Sequence, residues 1–430
     1  MAPSFRADHI GSLLRPASLL EARKSRQLYS DTALSSDIAA ATKAAIGDAV
    51  KKQLELSVRP ITSGEYERTI FYSGFFEKLE GMKTKGLPIP DGFRTGLPSS
   101  TVFLRMGRTM REANIAIAPI RRNGPAYLEA WEMLKSVTPP EHWGDCKMTL
   151  PSITMEHSQL AHGTAWAPGV YASDREYFAD LAAAYRAEFK DLYDAGLRHV
   201  QIDSPNLSVF FVDSVLEGCR TDGINVDEFL DLHIWAHNEM LRGRPAGMRI
   251  GLHMCRGNMS RWDFTRNTLH CFHAKSLMDG SPYQPLFHDL FQGSYETIAE
   301  KMFTKLNYDQ FYLEYDDPAR QGSFAPLRFL PRGKSVVLGI VSTKTAEPDD
   351  VAVSEDIDVL EARVREAAAV IAKGQGRSAE EVLEDTLAVS PQCGFASLDI
   401  NVGKGFTEEK MWAKLVLLRD LARRLWKDAV

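Results

Sequence analysis

A histidine, two cysteines and a glutamate are the residues of this sequence whose types and spacing most clearly suggest chemistry. His253 and Cys255 close the apolar run RIGLHM within GLHMCRGN, Glu314 lies near the end of FYLEYDD, and Cys393 follows a short apolar run in SPQCG. On an extended chain, residues two apart point to the same side, so His253 and Cys255 can reach one ion. One imidazole, two thiolates and a carboxylate suit tetrahedral zinc. Each residue alone is a weak signal, since a lone histidine is more often a core or surface residue than a ligand. Glu314 follows Cys255 by 59 residues and precedes Cys393 by 79. No local zinc-finger pattern uses such spacings, so the fold must assemble the site, which favours catalysis over a structural role. A second grouping, His270, Cys271 and His273, is too tightly spaced on a helix for one zinc and reads as structural.

The elements that must position these residues are short apolar strands alternating with amphipathic helices. The strand candidates are His199–Asp203, Arg249–Met254, Phe311–Tyr315, Ser335–Val341 and Thr386–Val389, with weaker ones at Arg59–Thr62 and Lys147–Leu150. Tyr177, Leu181, Tyr185, Phe189 and Leu192 step along one helical face, as do Val359, Ala362, Val364 and Ala367 to Val370. Glu408–Trp426 is a third such helix, with Trp412, Leu415, Leu418 and Leu421 near one stripe. Stripes of this kind are core. The alternation predicts a single α/β domain over residues 1–430, a closed (β/α)8 TIM-type barrel, in which reactive groups project from the carboxyl ends of the strands. Residues 81–143, rich in Gly, Pro and Arg, break the rhythm and read as a long insertion. A doubly wound open sheet is the second choice, because no glycine-rich turn follows the first strand.

Composition narrows the class. The chain has 430 residues, 44% of them hydrophobic, enough for a large core. A net charge of −6 without a basic tract argues against nucleic acid. No apolar run is long enough to span a bilayer, and MAPSFRADHIGS lacks the apolar centre of a signal peptide, so a cytoplasmic location is expected. Five cysteines, an odd number at low density, do not make a disulfide framework.

The runs HMCRGN, EYDD, LGIVSTKTAE and SPQCGF resemble the catalytic barrel of cobalamin-independent methionine synthases, and more closely its compact single-barrel homologues. The resemblance extends from RADHIGSLLRP at Arg6–Pro16 to the last helix. It implies a zinc-dependent methyltransferase that moves a methyl group onto a homocysteine-like thiol to give methionine. Zn2+ is then the cofactor, with His253, Cys255, Glu314 and Cys393 as ligands. The family's Ile-Gly-Ser motif, which holds the amino-acid end of homocysteine, falls on Ile10, Gly11 and Ser12. Its two acidic residues at the substrate amino group fall on Glu65 of GEYERT and Asp203 of QIDSPN, which the resemblance makes catalytic and substrate-binding.

Two positions depart from the family pattern. Ser204 stands where the family has a glutamate, and Ser342 in LGIVSTK aligns with the family's proton-relay histidine. One barrel is expected where the full-length synthases have two. The partners implied are a small-molecule thiol and a methyl donor (folate, corrinoid or another methylated compound), with room for a homo-oligomer. Open alternatives are a zinc-dependent alkyl transferase or C–S lyase with a different thiol or donor, or a non-catalytic zinc- and thiol-binding homologue.

The ligand set explains the suitability for sulfur chemistry. A thiol of pKa about 8.5 is mostly protonated at neutral pH, and coordination to zinc removes the proton. Two thiolates and a carboxylate outweigh the ion's charge, so a bound sulfur stays electron-rich and suited to attack on an alkyl carbon. Glu65 and Asp203 would pair with an ammonium, and Ser12 with a carboxylate.

Overall fold

The structure, a computed structural model, describes residues 2–23, 35–105, 107–256, 293–344, 351, 353–396, 406–427 and 429. His270, Cys271 and His273 lie outside the described residues. Two sheets form. An antiparallel hairpin pairs β1 (Leu79–Pro88) with β2 (Met110–Arg122). A parallel sheet follows in the order β3 (Lys147–Pro151), β4 (His199–Asp203), β5 (Arg249–Met254), β6 (Gln310–Glu314), β7 (Ser335–Val341) and β8 (Leu387–Pro391). Every residue of β3, β6, β7 and β8 is buried, as expected of parallel strands covered on both faces.

Six of the seven predicted strands appear with ends within two residues, whereas Arg59–Thr62 makes only a single bridge at Ile61. Thr386, read as a strand residue, instead closes the helix Ala379–Thr386. The helix Asp174–Asp194 starts where the Ser173 side chain accepts from Glu176 N, and buries Tyr177, Leu181, Tyr185, Phe189 and Leu192. In Ile357–Gln375 the buried stripe runs through Leu360, Val364, Ala367, Ala368 and Ile371. Val359 is 37% exposed and Ala362 and Ala369 are exposed too, so these three are not part of the core face as expected. Among the described residues no helix is long and apolar enough to cross a membrane.

The closed eight-stranded barrel is not what the ladders show: six strands pair in register, and two further segments touch the sheet's edges through single bridges. Ala7 bridges Val389 beside β8, and Ile61 bridges Cys146 beside β3. Asp8 N donates to Val389 O and Val389 N to Arg6 O, at 2.8 and 2.9 Å. Ile61 N donates to Asp145 O and Lys147 N to Ile61 O, both at 2.9 Å. The two edge segments meet through other bonds: His9 Nε2 lies 2.8 Å from Pro60 O, Thr62 Oγ1 donates to Gly11 O at 2.8 Å, and Leu13 N donates to Gly64 O at 3.1 Å. Residues 81–143 hold most of the hairpin and the helices Pro98–Arg105 and Leu128–Val137. The hairpin docks on the main body where Arg122 pairs with Glu188 and Asp191 of the helix Asp174–Asp194, at 2.9 and 2.6 Å.

A polar knot lies inside the sheet. Lys147 Nζ, fully buried, donates to Asp8 Oδ1 at 2.6 Å, His9 O at 2.6 Å and Gln201 Oε1 at 2.7 Å. The Tyr312 hydroxyl donates to Asp8 Oδ2 at 2.8 Å, and Gln201 Nε2 to Ile10 O at 2.7 Å. The N-terminal segment is thereby fastened to β3, β4 and β6. Removing one member of a buried ion pair strands the other in low dielectric, so Lys147→Met is expected to destabilise the fold by about 3–5 kcal/mol, read by denaturant unfolding. A loss under about 1 kcal/mol would show that the knot does not hold the N-terminal segment.

Candidate metal centre

β5 delivers His253 as its penultimate residue and Cys255 just past its end; Cys393 sits two residues beyond the end of β8. One ligand atom from each of these three buried residues lies within 4.8 Å of the others. The Cys393 thiol donates to Cys255 Sγ at 3.4 Å. Two sulfurs on one tetrahedral zinc would lie about 3.8 Å apart, given Zn–S bonds of about 2.3 Å. His253 is buried, neither ring nitrogen finds an oxygen or nitrogen partner, and its side chain interacts with the Cys255 sulfur. A buried imidazole whose side-chain contact is a thiol, beside a second near-contact sulfur, fits a soft divalent metal. Among the described residues, this is the one trio of His, Cys, Asp or Glu arranged in this way.

The electrostatics point the same way. The hydrogen bond from Cys393 pulls the Cys255 thiol well below its usual range, against burial and with help from the His253 charge. Cys393 is pushed well above its usual range by that same bond and by burial. Burial alone would depress His253, but the charges of Cys255, Asp203 and Glu314 raise it.

Glu314 lies outside the converging trio. It ends β6 fully buried, and its Oε1 receives Lys344 Nζ at 2.7 Å, Gln321 Nε2 at 3.0 Å and Arg320 Nη1 at 3.1 Å. Its Oε2 accepts from Arg256 N at 2.8 Å. Burial would raise this carboxyl, yet the cations of Lys344, Arg320 and Arg256 draw it down to about 2. Of the four ligands read from the sequence, the structure therefore converges three.

The trio opens onto a cavity whose walls include Ile10, Ser12, Glu65 and Asp203, with Phe71 and Pro205 as its apolar sides. Gly11 is not on the wall. Its φ of +126° suits glycine, and a Cβ there would come within 2.6 Å of Thr149 Cγ2. Gly394 is also required to be small, since a Cβ would fall 2.0 Å from Ser12 Oγ. Phe395 N donates to Ser12 O at 3.1 Å and Ala396 N to Ser12 Oγ at 3.3 Å, locking the N-terminal loop to the loop of Cys393.

Glu65 has a φ of +60°, left-handed for a non-glycine residue, a strain of the kind that clusters at ligand sites. Its backbone is held by Arg15 Nη2, which donates to Glu65 O at 2.9 Å, and by Ser63 Oγ, which accepts from Glu65 N at 3.2 Å. Oε1 accepts from Thr149 Oγ1 at 2.7 Å, whereas Oε2 is buried without a partner. Burial pushes Glu65 up despite the Arg68 guanidinium. Burial likewise pushes Asp203 up to about 7; the His253 charge opposes this and the Glu65 charge adds to it. Gln201 Nε2 donates to Asp203 Oδ1 at 2.6 Å. Two carboxylates in one wall, one with an unpaired oxygen, leave a place for a cation.

Ser342 follows β7, outside the cavity wall; its N–H donates to Glu355 Oε1 at 2.9 Å and its Oγ accepts from Lys344 N at 3.2 Å. Ser204 is buried, donating to His253 O from its N–H and to Asn206 Oδ1 from its hydroxyl. The sequence reading passed over Lys344, Arg320, Gln321, Thr149 and Phe71. Lys344 stands inside the singled-out run LGIVSTKTAE, and Arg68 inside GEYERT, so charged residues flanking a motif were the available signal.

Fold and site together define an α/β protein with a parallel sheet and a His-Cys-Cys cluster at the carboxyl ends of its strands, beside an acidic cavity. No family model matches the chain. It is 30% identical over 429 residues to the uncharacterized protein YxjH of Bacillus subtilis, covering 98% of this chain and 95% of that one. A candidate vitamin-B12-independent methionine synthase from Listeria monocytogenes superposes with a TM-score of 0.65 at 26% identity, covering 99% of both chains. A 5-methyltetrahydropteroyltriglutamate–homocysteine methyltransferase of Vibrio cholerae is 27% identical over 237 residues, which are 55% of this chain and 27% of that enzyme. The chain belongs to the cobalamin-independent methionine synthase family, in its compact methionine synthase-like branch.

Zinc titration is expected to find about one tight site per chain, lost in Cys255→Ser and in Cys393→Ser with the thermal transition little moved. Unfolding of either variant would instead mark the trio as a folding element.

Proposed function

We propose that this protein is a zinc-dependent methyltransferase that transfers a methyl group to the thiol of homocysteine or a close amino-acid analogue. The observation that supports it most directly is the unpaired Glu65 Oε2 in the same cavity as Asp203 and the His253–Cys255–Cys393 trio. A site that only stores metal has no use for an ammonium clamp. We read the chain as one domain over residues 1–430, with the segments around Ala7 and Ile61 serving as the seventh and eighth staves of a barrel. A reducing, cytoplasmic setting suits two thiols 3.4 Å apart, and none of the described cysteines forms a disulfide.

In this reading Glu65 Oε2 and Asp203 bind the substrate ammonium. At neutral pH Asp203, with its pKa near 7, is only partly ionised. An arriving cation draws both carboxyls back to the charged form with release of the proton, so its binding weakens as pH falls through about 7. Ser12 and the backbone around Gly11 orient the carboxylate end, and Phe71 and Pro205 keep water off the carbon chain. Zinc held by His253, Cys255 and Cys393, with Glu314 as the exchangeable fourth ligand, would supply a deprotonated, nucleophilic substrate sulfur. Lys344, Arg320 and Gln321 already satisfy the Glu314 carboxylate, which favours three fixed ligands and one yielding one.

At the donor end, Ser342 is bonded to Glu355 and Lys344, and His253 is the one imidazole lining the cavity among the described residues. A tertiary-amine leaving group such as that of methyltetrahydrofolate departs slowly unless protonated. The favoured donor is therefore an already activated methyl compound, a methylated corrinoid or a sulfonium. The reading is tested by methionine formation from homocysteine with each donor, followed by mass spectrometry, in the wild type, Glu65→Gln and Asp203→Asn. Each substitution is expected to weaken homocysteine binding by about tenfold or more without changing zinc content. Unchanged homocysteine affinity in both variants would remove the amino-acid thiol from the proposal, and efficient transfer from methyltetrahydrofolate would overturn the donor assignment.

A further inference from the structure

Thr149, in the middle of β3, is buried behind the cavity wall and sits between two charges. Arg68 Nη2 donates to Thr149 Oγ1 at 2.7 Å, and Thr149 Oγ1 donates to Glu65 Oε1 at 2.7 Å. A guanidinium can only donate, so the single hydroxyl proton is committed to Glu65. Arg68 Nη2 itself stays 4.0 Å from Glu65 Oε1. Its other groups are engaged elsewhere, Nη1 with Phe71 O at 2.8 Å and Nε with Glu67 Oε1 at 3.2 Å. On its opposite side, Thr149 Cγ2 fills the space that a side chain at Gly11 would need. The hydroxyl is thus a spacer between a buried cation and a buried anion.

We infer that Thr149 is a specificity-determining positioning residue: it keeps Arg68 from pairing directly with Glu65, leaves Oε2 for the ligand, and so makes the cavity select thiols bearing an ammonium over identical thiols without one. The inference rests on the reading of the cavity as an amino-acid thiol site. Without the hydroxyl, a small rotation of the Glu65 carboxylate closes the gap to Arg68 Nη2, giving a direct ion pair neutralised within the protein. A carboxylate paired in that way has little attraction left for a substrate cation. With the hydroxyl in place, Oε1 is satisfied by a neutral donor, and the carboxylate charge remains available at Oε2.

The experiment compares homocysteine with its desamino analogue, mercaptobutyrate, by calorimetric titration of the zinc-loaded protein and of Thr149→Val, Thr149→Ala and Thr149→Ser. The wild type is expected to prefer homocysteine. Thr149→Val and Thr149→Ala should each lose about tenfold or more in homocysteine affinity while binding mercaptobutyrate as before. Thr149→Ser, which keeps the hydroxyl, should retain the preference, and zinc content should be the same in all four proteins. A merely structural threonine would weaken both thiols alike; equal losses, or an undiminished preference in Thr149→Val, would overturn the inference. A wild type with no preference for the amino-bearing thiol would overturn the amino-acid reading of the cavity itself, an outcome distinct from the first two.

Discussion

The buried ammonium of Lys147 is the constraint on which the rest of the site depends. An unpaired charge in a protein interior costs many kcal/mol, so the surroundings must be arranged to satisfy it. Here its three donors are taken by Asp8, the His9 carbonyl and Gln201, and Asp8 takes a further bond from Tyr312. Asp8 and His9 immediately precede Ile10, Gly11 and Ser12, and Gln201 also bonds Ile10 O and Asp203. The same knot therefore sets the depth of the N-terminal loop and the orientation of one of the two acidic groups. A segment with only one bridge to the sheet could not be held at that depth by its ladder alone.

Above the knot the site divides into two electrostatic compartments. On one side Lys344, Arg320 and Arg256 surround Glu314, and their charges outweigh burial. On the other side Glu65 and Asp203 face each other, and burial outweighs the nearby cations. The His253–Cys255–Cys393 trio lines the same cavity as the acidic pair, while Glu314 hydrogen-bonds the backbone next to Cys255. A zwitterionic thiol suits this arrangement: its ammonium has an acidic wall to meet, and its sulfur has a cluster that stabilises negative charge on sulfur. Close packing enforces the geometry. Gly11 against Thr149 and Gly394 against Ser12 leave no room for a methyl group at either crossing.

Much of this was open to a reader of the sequence, and the reason is local. A strand end is marked by an apolar run, and alternation along an extended chain puts His253 and Cys255 on one side without knowledge of any partner. The parallel strands were read to within two residues because burial on both faces demands continuous apolar runs. The stripe of Ile357–Gln375 was misjudged at Val359 because a helix edge residue follows the same spacing as the core face and differs only in what packs on it. Arg59–Thr62, expected as a weaker strand, makes only a single bridge at Ile61. Ladder length depends on neighbours that the short run around Ile61 does not record, and no apolar run announces the bridge of Ala7 to Val389.

By itself the sequence determined the candidate ligand residues, the strand ends that present them and the family resemblance that groups Ser12, Glu65 and Asp203. Those features are written in residue identity and short spacing. Only the tertiary structure decided which ligands converge, that Glu314 rests on Lys344, Arg320 and Gln321, and that Glu65 keeps one oxygen unpaired behind a Thr149 spacer. These depend on contacts between residues far apart in the chain, such as Glu65 with Thr149 and Glu314 with Lys344. Hydrogen-bond partners across such distances are chosen by how the strands and loops pack, which no local spacing records.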